Sequence, residues 1–253
     1  MKHIPRKRFG QNFLTDQGVI QAIVRAIHPR PDDVMVEIGP GLGALTDPLL
    51  KILPRLHVVE IDRDIIARLQ NNYPAAKLTI HPGDALKFDF STLGERIRVV
   101  GNLPYNISTP ILFHLSEYVG NIIDMHFMLQ KEVVERMVAA PSTPEYGRLS
   151  VMLQYRYAME LMFIVQPDAF HPAPKVESAI VRMIPYPVLP HPARDEALLA
   201  AIVTAAFGQR RKTLRNTLKA YLDDAGFAAL GIAPGLRAEN LGVGEFVAIA
   251  NYC

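Results

Sequence analysis

Cysteine is all but missing from this chain of 253 residues, since the one it has, Cys253, is the last residue. That excludes a disulfide framework and a cysteine-held metal. The eight histidines never take the His-Glu-x-x-His spacing of a helical zinc site, so no metal is expected. Also missing is any uninterrupted apolar stretch long enough to span a bilayer. The opening Met1-Lys2-His3-Ile4-Pro5-Arg6-Lys7-Arg8 is basic but leads into no apolar signal region. Internal repeats and low-complexity tracts are absent as well. These absences predict a soluble, cytoplasmic protein without membrane contact. Its hydrophobic content of 49% is enough for one full core and a smaller second domain.

Acidic residues are missing from two stretches that are rich in the opposite charge. Residues 1–8 carry Lys2, Arg6, Lys7 and Arg8, and residues 207–219 carry Arg210, Arg211, Lys212, Arg215 and Lys219. The formal net charge is only +2, yet setting these nine aside leaves 18 basic residues against 25 acidic ones. Positive charge gathered in two places on an otherwise acidic chain is the pattern of a phosphate-binding footprint. Taken alone, the second run reads as the solvated face of a helix.

Strand and helix signals alternate through the first part of the chain. Ile20, Ile23, Val24 and Ile27 fall at helical spacing behind a cap at Thr15 or Asp16. Strands are predicted at Val34–Ile38, Leu56–Glu60, Lys77–Ile80, Ile97–Val100 and near Ile123–Leu129, with helical stretches such as Ile65–Leu69 between them. Such alternation predicts an α/β fold with a doubly wound, Rossmann-like, mostly parallel sheet. A helix is predicted around Arg148–Tyr157. The apolar runs Leu161–Val165 and Ala179–Ile184 bracket a loop over 166–174 and predict an antiparallel hairpin closing the sheet. The prolines of Pro185-Tyr186-Pro187-Val188-Leu189-Pro190-His191-Pro192 favour an extended linker. Only helical patterns follow. The expected division is 1–186, with a basic arm or lid over 1–16, and a small all-helical domain over 187–253.

Glu37-Ile38-Gly39-Pro40-Gly41-Leu42-Gly43-Ala44-Leu45-Thr46 follows the first predicted strand and opens a helix. Glycines let backbone approach a ligand closely, and free amides at a helix start suit an anionic group. Glu60 ends the next strand 21 positions after Gly39, near the spacing of an acid that accepts from ribose hydroxyls. A nucleoside cofactor follows. Gly39, Gly41 and Ala44 also satisfy the dinucleotide fingerprint, so the loop itself leaves nicotinamide open. Glu37 inside the strand, together with Gly43, fits the pattern of S-adenosyl-L-methionine methyltransferases better. Glu37 can equally be a buried acid bonding the loop's amides. Asp84, in Pro82-Gly83-Asp84-Ala85-Leu86, can accept from the adenine amine of such a cofactor. An isolated Gly-Asp would be a turn or cap, but this one follows a third consecutive strand.

Asn102-Leu103-Pro104-Tyr105 lies at the carboxyl end of the Ile97–Gly101 run, where open α/β sheets bind ligands. An amide oxygen accepts from an exocyclic amine and an aromatic ring stacks on a base. The group points to chemistry on the amino group of a flat heterocycle.

In their order, Gln11 to Leu14, Glu37 to Thr46, Glu60, Gly83-Asp84-Ala85, Asn102 to Tyr105 and Phe170-His171-Pro172-Ala173-Pro174-Lys175-Val176 resemble the ribosomal RNA adenine N6-dimethyltransferases. Asn102–His114, Asp124–Glu132, Tyr146–Ser150 and Phe207–Asn216 extend the likeness over nearly the whole chain, closest to the bacterial small-subunit branch. The resemblance implies S-adenosyl-L-methionine as cofactor and dimethylation of two adjacent adenosines in the 3′-terminal hairpin loop of 16S ribosomal RNA. The implied partner is small-subunit rRNA or the immature 30S particle, met by a monomer during ribosome biogenesis.

It implies that Asn12 and Leu14 touch the cofactor from the lid and that Gly39 and Gly41 lie against its methionine part, with Gly43 turning the loop. Glu60 would hold the ribose, Asp84 the adenine amine, and Asn102 would sit between cofactor and target. The Asn102 oxygen and the Leu103 carbonyl would accept the target N6 hydrogens, with Pro104 fixing the backbone and Tyr105 and Phe170 stacking on the base. Arg6, Lys7, Arg8, Arg210, Arg211, Lys212 and Arg215 would contact RNA phosphates.

Phe170 read without the resemblance is a core aromatic, although its place between Pro167 and Pro172 in a predicted loop argues otherwise. An Erm-type large-subunit methyltransferase is the rival of the same chemistry, and the match through Phe207–Asn216 speaks against it. A DNA adenine methyltransferase usually begins its tetrapeptide with Asp rather than Asn. A non-catalytic assembly factor would not be expected to keep Glu60, Asp84, Asn102 and Tyr105 together. A nicotinamide oxidoreductase would be stabilised by NAD and not by S-adenosyl-L-methionine.

Overall fold

The computed structural model describes residues 12–105 and 107–253. Gln11 and the basic residues Arg6, Lys7 and Arg8 lie outside the described residues. The chain runs β1 (Phe13–Leu14), α1 (Gln17–Ile27), β2 (Val34–Ile38), α2 (Thr46–Leu49), β3 (Leu56–Glu60), α3 (Arg63–Asn72), β4 (Leu78–Pro82), β5 (Ile97–Asn102) and α4 (Ser108–Leu115). It continues with β6 (Ile122–Gln130), α5 (Lys131–Val138), α6 (Arg148–Gln154), β7 (Tyr157–Val165), β8 (Phe170–His171) and β9 (Ser178–Pro185). Helices α7 (Glu196–Phe207), α8 (Leu214–Thr217), α9 (Asp224–Leu230) and α10 (Val243–Tyr252) complete it.

Seven strands form one sheet in the order β4-β3-β2-β5-β6-β9-β7. The pairs β3–β4, β2–β3, β2–β5 and β5–β6 are parallel, and β9 runs antiparallel to β6. Strands β2 and β5 sit in the middle and are buried along almost their whole length, as parallel strands covered on both faces must be. That explains why Val34–Ile38 and Ile97–Val100 are mostly apolar, broken only by Glu37 and Arg98, rather than alternating. Successive crossovers run outward from β2 through β3 to β4, and the chain then returns to place β5 on the other side of β2. The strand order therefore reverses between β2 and β5, the place where doubly wound sheets bind ligands.

Helix α1 buries Ile20, Ile23, Val24 and Ile27, and its cap is Asp16, whose side chain accepts from Val19 N at 2.9 Å. Its carboxyl end is held by a buried arginine. The Arg98 guanidinium donates to Ile27 O at 2.6 Å and His28 O at 3.3 Å, and it pairs with Asp33 at 2.6 Å and Asp124 at 2.8 Å. This one side chain satisfies orphan helix carbonyls while its charge is balanced by two acids.

Two differences from the sequence reading concern short elements. The helix expected over Arg148–Tyr157 ends at Gln154, and Tyr157 opens β7 as a fully buried strand residue. The loop expected over 166–174 contains β8, which pairs with β1 through Phe13↔His171 and Leu14↔Phe170. Thr15 N reinforces that pairing by donating to Ala169 O at 2.8 Å.

The chain divides into two compact units. The first takes the residues up to Val134 together with Glu160–Pro185, and the second takes Glu135–Met159 and Tyr186–Cys253. Residues 135–159 thus group with the C-terminal helices, whereas a division at 186/187 would assign them to the sheet domain. The second unit has its own apolar core, with Leu199, Ile202, Phe227, Phe246 and Ile249 sealed from solvent. Asp195 caps α7 by accepting from Ala197 N and Leu198 N at 2.8 and 3.0 Å, and Asp223 caps α9. Among the described residues no helix is long and apolar enough to cross a membrane.

Candidate active site

A cavity of about 570 Å³ opens in the first unit at the carboxyl ends of β2, β3 and β5. That size lies within the range of cofactor sites. The glycine loop forms one wall. Gly41 has φ +55°, and a Cβ there would stand 3.3 Å from the Phe13 ring; Gly43 has φ +95°, and a Cβ would meet the Tyr73 hydroxyl at 2.7 Å. Any side chain at either position would be strained and would push a neighbour aside. Tyr73 caps the end of α3 and donates a short hydrogen bond to Asp47, which also lines the cavity.

Two acids from the carboxyl-terminal parts of β2 and β3 line the same cavity. Glu37 is buried, and its Oε2 accepts from the Thr46 hydroxyl at 2.6 Å. Its partner is thus a side chain, not the loop amides considered from the sequence. Burial pushes its carboxyl up to about 7, the Thr46 bond opposing that and the charges of Glu60 and Asp47 adding to it. Glu60 ends β3, and its Oε1 accepts from Ile61 N and Asp62 N, both at 2.8 Å. Burial raises its pKa, against the pull of those backbone amides. Asp84 also lines the cavity, and its Oδ1 accepts from Leu86 N at 3.0 Å, capping the 3-10 turn Ala85–Lys87. The cap considered from the sequence is therefore present, on a residue that also faces the cavity.

The opposite wall is built by Asn102, Leu103, Pro104 and Tyr105 as they leave β5. Asn102 Nδ2 donates to Asn12 O at 3.3 Å, which leaves the amide oxygen to accept. Leu103 N donates to Met128 O at 3.2 Å, and Ile107 N to Pro104 O at 3.1 Å. The Tyr105 carbonyl accepts from Ser108 Oγ and its hydroxyl bonds Ser178 Oγ, each at 2.9 Å. Phe170 reaches the same cavity from β8, and Asn12 and Leu14 reach it from the N-terminal side. Phe170 is buried in a strand among core residues, not displayed on an open loop. The pairing of β8 with β1 carries it there.

All of the candidate catalytic and cofactor residues from Asn12 to Phe170 thus line one cavity. The basic run does not, because Arg210, Arg211, Lys212 and Arg215 belong to the second unit and are exposed. They also differ from a uniform helical face. Residues 210–212 form a turn, and only Arg215 is helical, in the four-residue α8. Arg210 donates to Pro144 O at 3.0 Å, and Arg215 pairs with Asp224 at 3.0 Å. Among the described residues no group of three or more His, Cys, Asp or Glu could hold a metal. The sequence reading missed Ser108, Ser178, Tyr73 and Asp47. Each supports a motif from elsewhere in the chain, and no local pattern marks such a residue.

Strand order, glycine loop, the acid ending β3 and an amide-led tetrapeptide at the switch point define the class: a Rossmann-like, S-adenosyl-L-methionine-dependent methyltransferase. Residues 2–253 match the family model described as ribosomal RNA adenine dimethylase, and the chain belongs to that family. It is 71% identical over 252 residues to the ribosomal RNA small subunit methyltransferase A of Methylobacillus flagellatus, covering 100% of this chain and 99% of the relative. The protein of the same name from Aromatoleum aromaticum is 66% identical, with 99% of this chain and 95% of the relative covered. In fold the chain is similar to a dimethyladenosine transferase from Plasmodium falciparum, with TM-score 0.77, 24% identity and coverage of 94% and 95%. It is also similar to the 23S rRNA methyltransferase ErmE, with TM-score 0.75, 23% identity and coverage of 95% and 99%.

Proposed function

We propose that this enzyme dimethylates the N6 amines of two adjacent adenosines in the 3′-terminal hairpin loop of 16S rRNA, acting in the cytoplasm as a monomer on the immature 30S particle. The observation that carries the reading is the convergence of Asn102–Tyr105 and Phe170 on the cavity that also holds the glycine loop, Glu60 and Asp84. The names of the relatives favour the small subunit over the large one.

The residues present fit S-adenosyl-L-methionine. At Gly41, on the cavity wall, a Cβ would press against the Phe13 ring and strain the backbone, and Glu60 is locked at a strand end by two backbone amides. Gly39 and Gly41 would lie along the methionine part, Glu60 would accept from the ribose, and Asp84 would use the oxygen not engaged by Leu86 for the adenine amine. Asn12 and Leu14 would close over the site. When bound, the cofactor supplies a methyl group on a sulfonium centre.

What the protein adds is geometry at the target nitrogen. An adenine N6 lone pair is delocalised into the ring and is a poor nucleophile. The Asn102 oxygen and the Leu103 carbonyl accept its two hydrogens and draw the nitrogen towards tetrahedral geometry, which frees the lone pair. Pro104 keeps that carbonyl aimed. Tyr105 and Phe170 hold the purine by stacking, a contact worth about 1–3 kcal/mol per base. No strong general base is needed, since the proton can leave to water after transfer, and alignment supplies much of the rate. The base must leave its stack to enter, which favours a loop.

Exposed Arg210, Arg211, Lys212 and Arg215, with Arg6, Lys7 and Arg8, would dock the RNA through its phosphates. The test is methyl transfer onto unmethylated small-subunit particles, with large-subunit RNA in parallel, followed by nucleoside analysis. N6,N6-dimethyladenosine in the small-subunit RNA is expected. Monomethyladenosine alone, product only in the large-subunit RNA, or no product would refute the reading.

A further inference from the structure

We propose that Ser178 is a positioning residue for methyl transfer: its hydroxyl anchors the Tyr105 ring in the plane that receives the target base. The inference rests on the function proposed above and adds a residue to it.

Ser178 opens β9 and is 1% exposed. A hydroxyl so sealed from water needs a hydrogen-bond partner, and the structure gives it the Tyr105 hydroxyl at 2.9 Å. The anchor itself is rigid. Ser178 sits opposite Gln130 in the antiparallel β6–β9 ladder, while Met128, two residues earlier on β6, is the parallel partner of Asn102. Lys131 N donates to Glu177 O at 3.0 Å, and Lys131 Nζ pairs with Glu177 at 2.7 Å, tying down the residue before Ser178. The tetrapeptide on β5 and the serine on β9 are thus both registered on β6.

Tyr105 is consequently held at both ends. Ser108 Oγ fixes its carbonyl at 2.9 Å and Ser178 fixes its hydroxyl. Holding the main chain and the phenol oxygen sets the direction of the ring axis, and the phenol's preference for in-plane hydrogen bonding sets the ring plane. Neither constraint is needed to fill space, because phenylalanine would do that. Both are needed to keep a stacking face ready for a base that has just left its own stack, where a displacement of about 1 Å is costly. The same serine lies two residues after the Phe170–Val176 segment. One strand start therefore serves both aromatic walls of the base pocket, Phe170 through the chain and Tyr105 through the hydroxyl.

The experiment compares Ser178→Ala, Tyr105→Phe and the double variant in methyl transfer to small-subunit particles. Affinity for S-adenosyl-L-methionine and the melting temperature are measured beside it. Each single change should lower kcat on the order of tenfold with cofactor affinity unchanged. The double variant should be no slower than the slower single one, since both remove the same hydrogen bond. Ser178→Ala with wild-type kcat, whatever its melting temperature, would overturn the inference and leave a purely structural hydrogen bond. Multiplying defects in the double variant would also overturn it. An inert wild-type enzyme would instead refute the functional reading, and this inference with it.

Discussion

The two units keep their polar residues in opposite places. Of the nine buried polar or charged side chains among the described residues, eight belong to the sheet unit, namely Glu37, Thr46, Glu60, Asp62, Arg98, Ser108, His126 and Ser178. The helical unit contributes Ser150 alone to that set, and its basic run is exposed. Burying a polar group is costly unless it is partnered, so a unit that buries many of them does so for geometry. Five of the eight brace the cavity walls: Thr46 holds Glu37, Glu60 is held by the amides of Ile61 and Asp62, and Ser108 and Ser178 hold Tyr105. The helical unit packs around an apolar core, keeps its ion pairs and caps at the surface, and leaves Arg211 and Lys212 exposed. That division matches the roles proposed above, precision in one unit and RNA docking in the other.

The sharpest way to break the contrast is to remove a buried charge from the first unit. Arg98→Ala would strand Asp33 and Asp124 and leave the end of α1 without donors. A loss of about 3–5 kcal/mol is expected, since half of a buried ion pair is left behind. Urea unfolding would measure it, and a loss below about 1 kcal/mol would contradict the role given to this network. Next is Asn102→Ala, which removes the amide oxygen proposed to accept from the target nitrogen, together with the bond to Asn12 O. Its kcat should fall by about 10²–10³-fold, the usual cost of deleting one hydrogen-bonding group that acts in the transition state. RNA affinity should be nearly unchanged, because the basic residues proposed to carry it lie elsewhere.

A third test uses two buried groups that titrate in opposite senses. His126 has both ring nitrogens without a hydrogen-bond partner, its nearest acid is Asp124 at 4.0 Å, and burial drives it down to about 4. Its folded value lies below the ordinary 6.5, so the unfolded chain binds its proton first. Stability from His126 is complete above that ordinary value and is lost as pH falls towards about 4. Glu37 is raised from 4.5 to about 7, so its contribution is complete below pH 4.5 and is lost as pH rises through 7. Each effect is on the order of 3 kcal/mol, and over the shared window they oppose each other. His126→Leu should therefore make stability fall with rising pH, and Glu37→Gln should make it rise. Unfolding curves from about pH 4 to 7.5 would decide; parallel slopes in wild type and variants would sink the idea.

The same contrast explains what the sequence disclosed. Strands β2, β3 and β5 were legible because burial writes mostly apolar runs, broken only by single polar residues such as Glu37 and Arg98, and the glycine loop was legible because its turns tolerate no side chain. Glu60 followed at a fixed offset along one βα unit. The pairing of β1 with β8 was not legible, since two-residue strands carry no periodicity and the partners Leu14 and Phe170 lie far apart in the chain. For the same reason Phe170 read as a loop residue although it is buried in a strand. Ser178 was invisible as an anchor, because its partner, Tyr105, follows a different strand. The basic run was found by composition, but its local shape was not. Arg210–Lys212 turn where a helix face was expected, and two of the arginines already have partners.

Those partners sharpen the smallest of the expected effects. If the exposed residues of the helical unit dock RNA, each phosphate interaction removed should reduce the slope of log affinity against log salt by about 0.7–0.9. Arg211 and Lys212 should each give a full step when changed to Gln. Arg215 should give less, because Asp224 at 3.0 Å already offsets its charge, and Arg210 also holds the Pro144 carbonyl. Methyl transfer to a free adenosine analogue should be untouched in all four variants, since that substrate has no phosphates to dock. Salt titrations of RNA binding read the slope directly, and an unchanged slope in the Arg211→Gln, Lys212→Gln double variant would refute docking by this turn. An altered rate on the free analogue would show that the division of labour between the units is not clean, because charge on the helical unit would then be reaching chemistry assigned to the sheet.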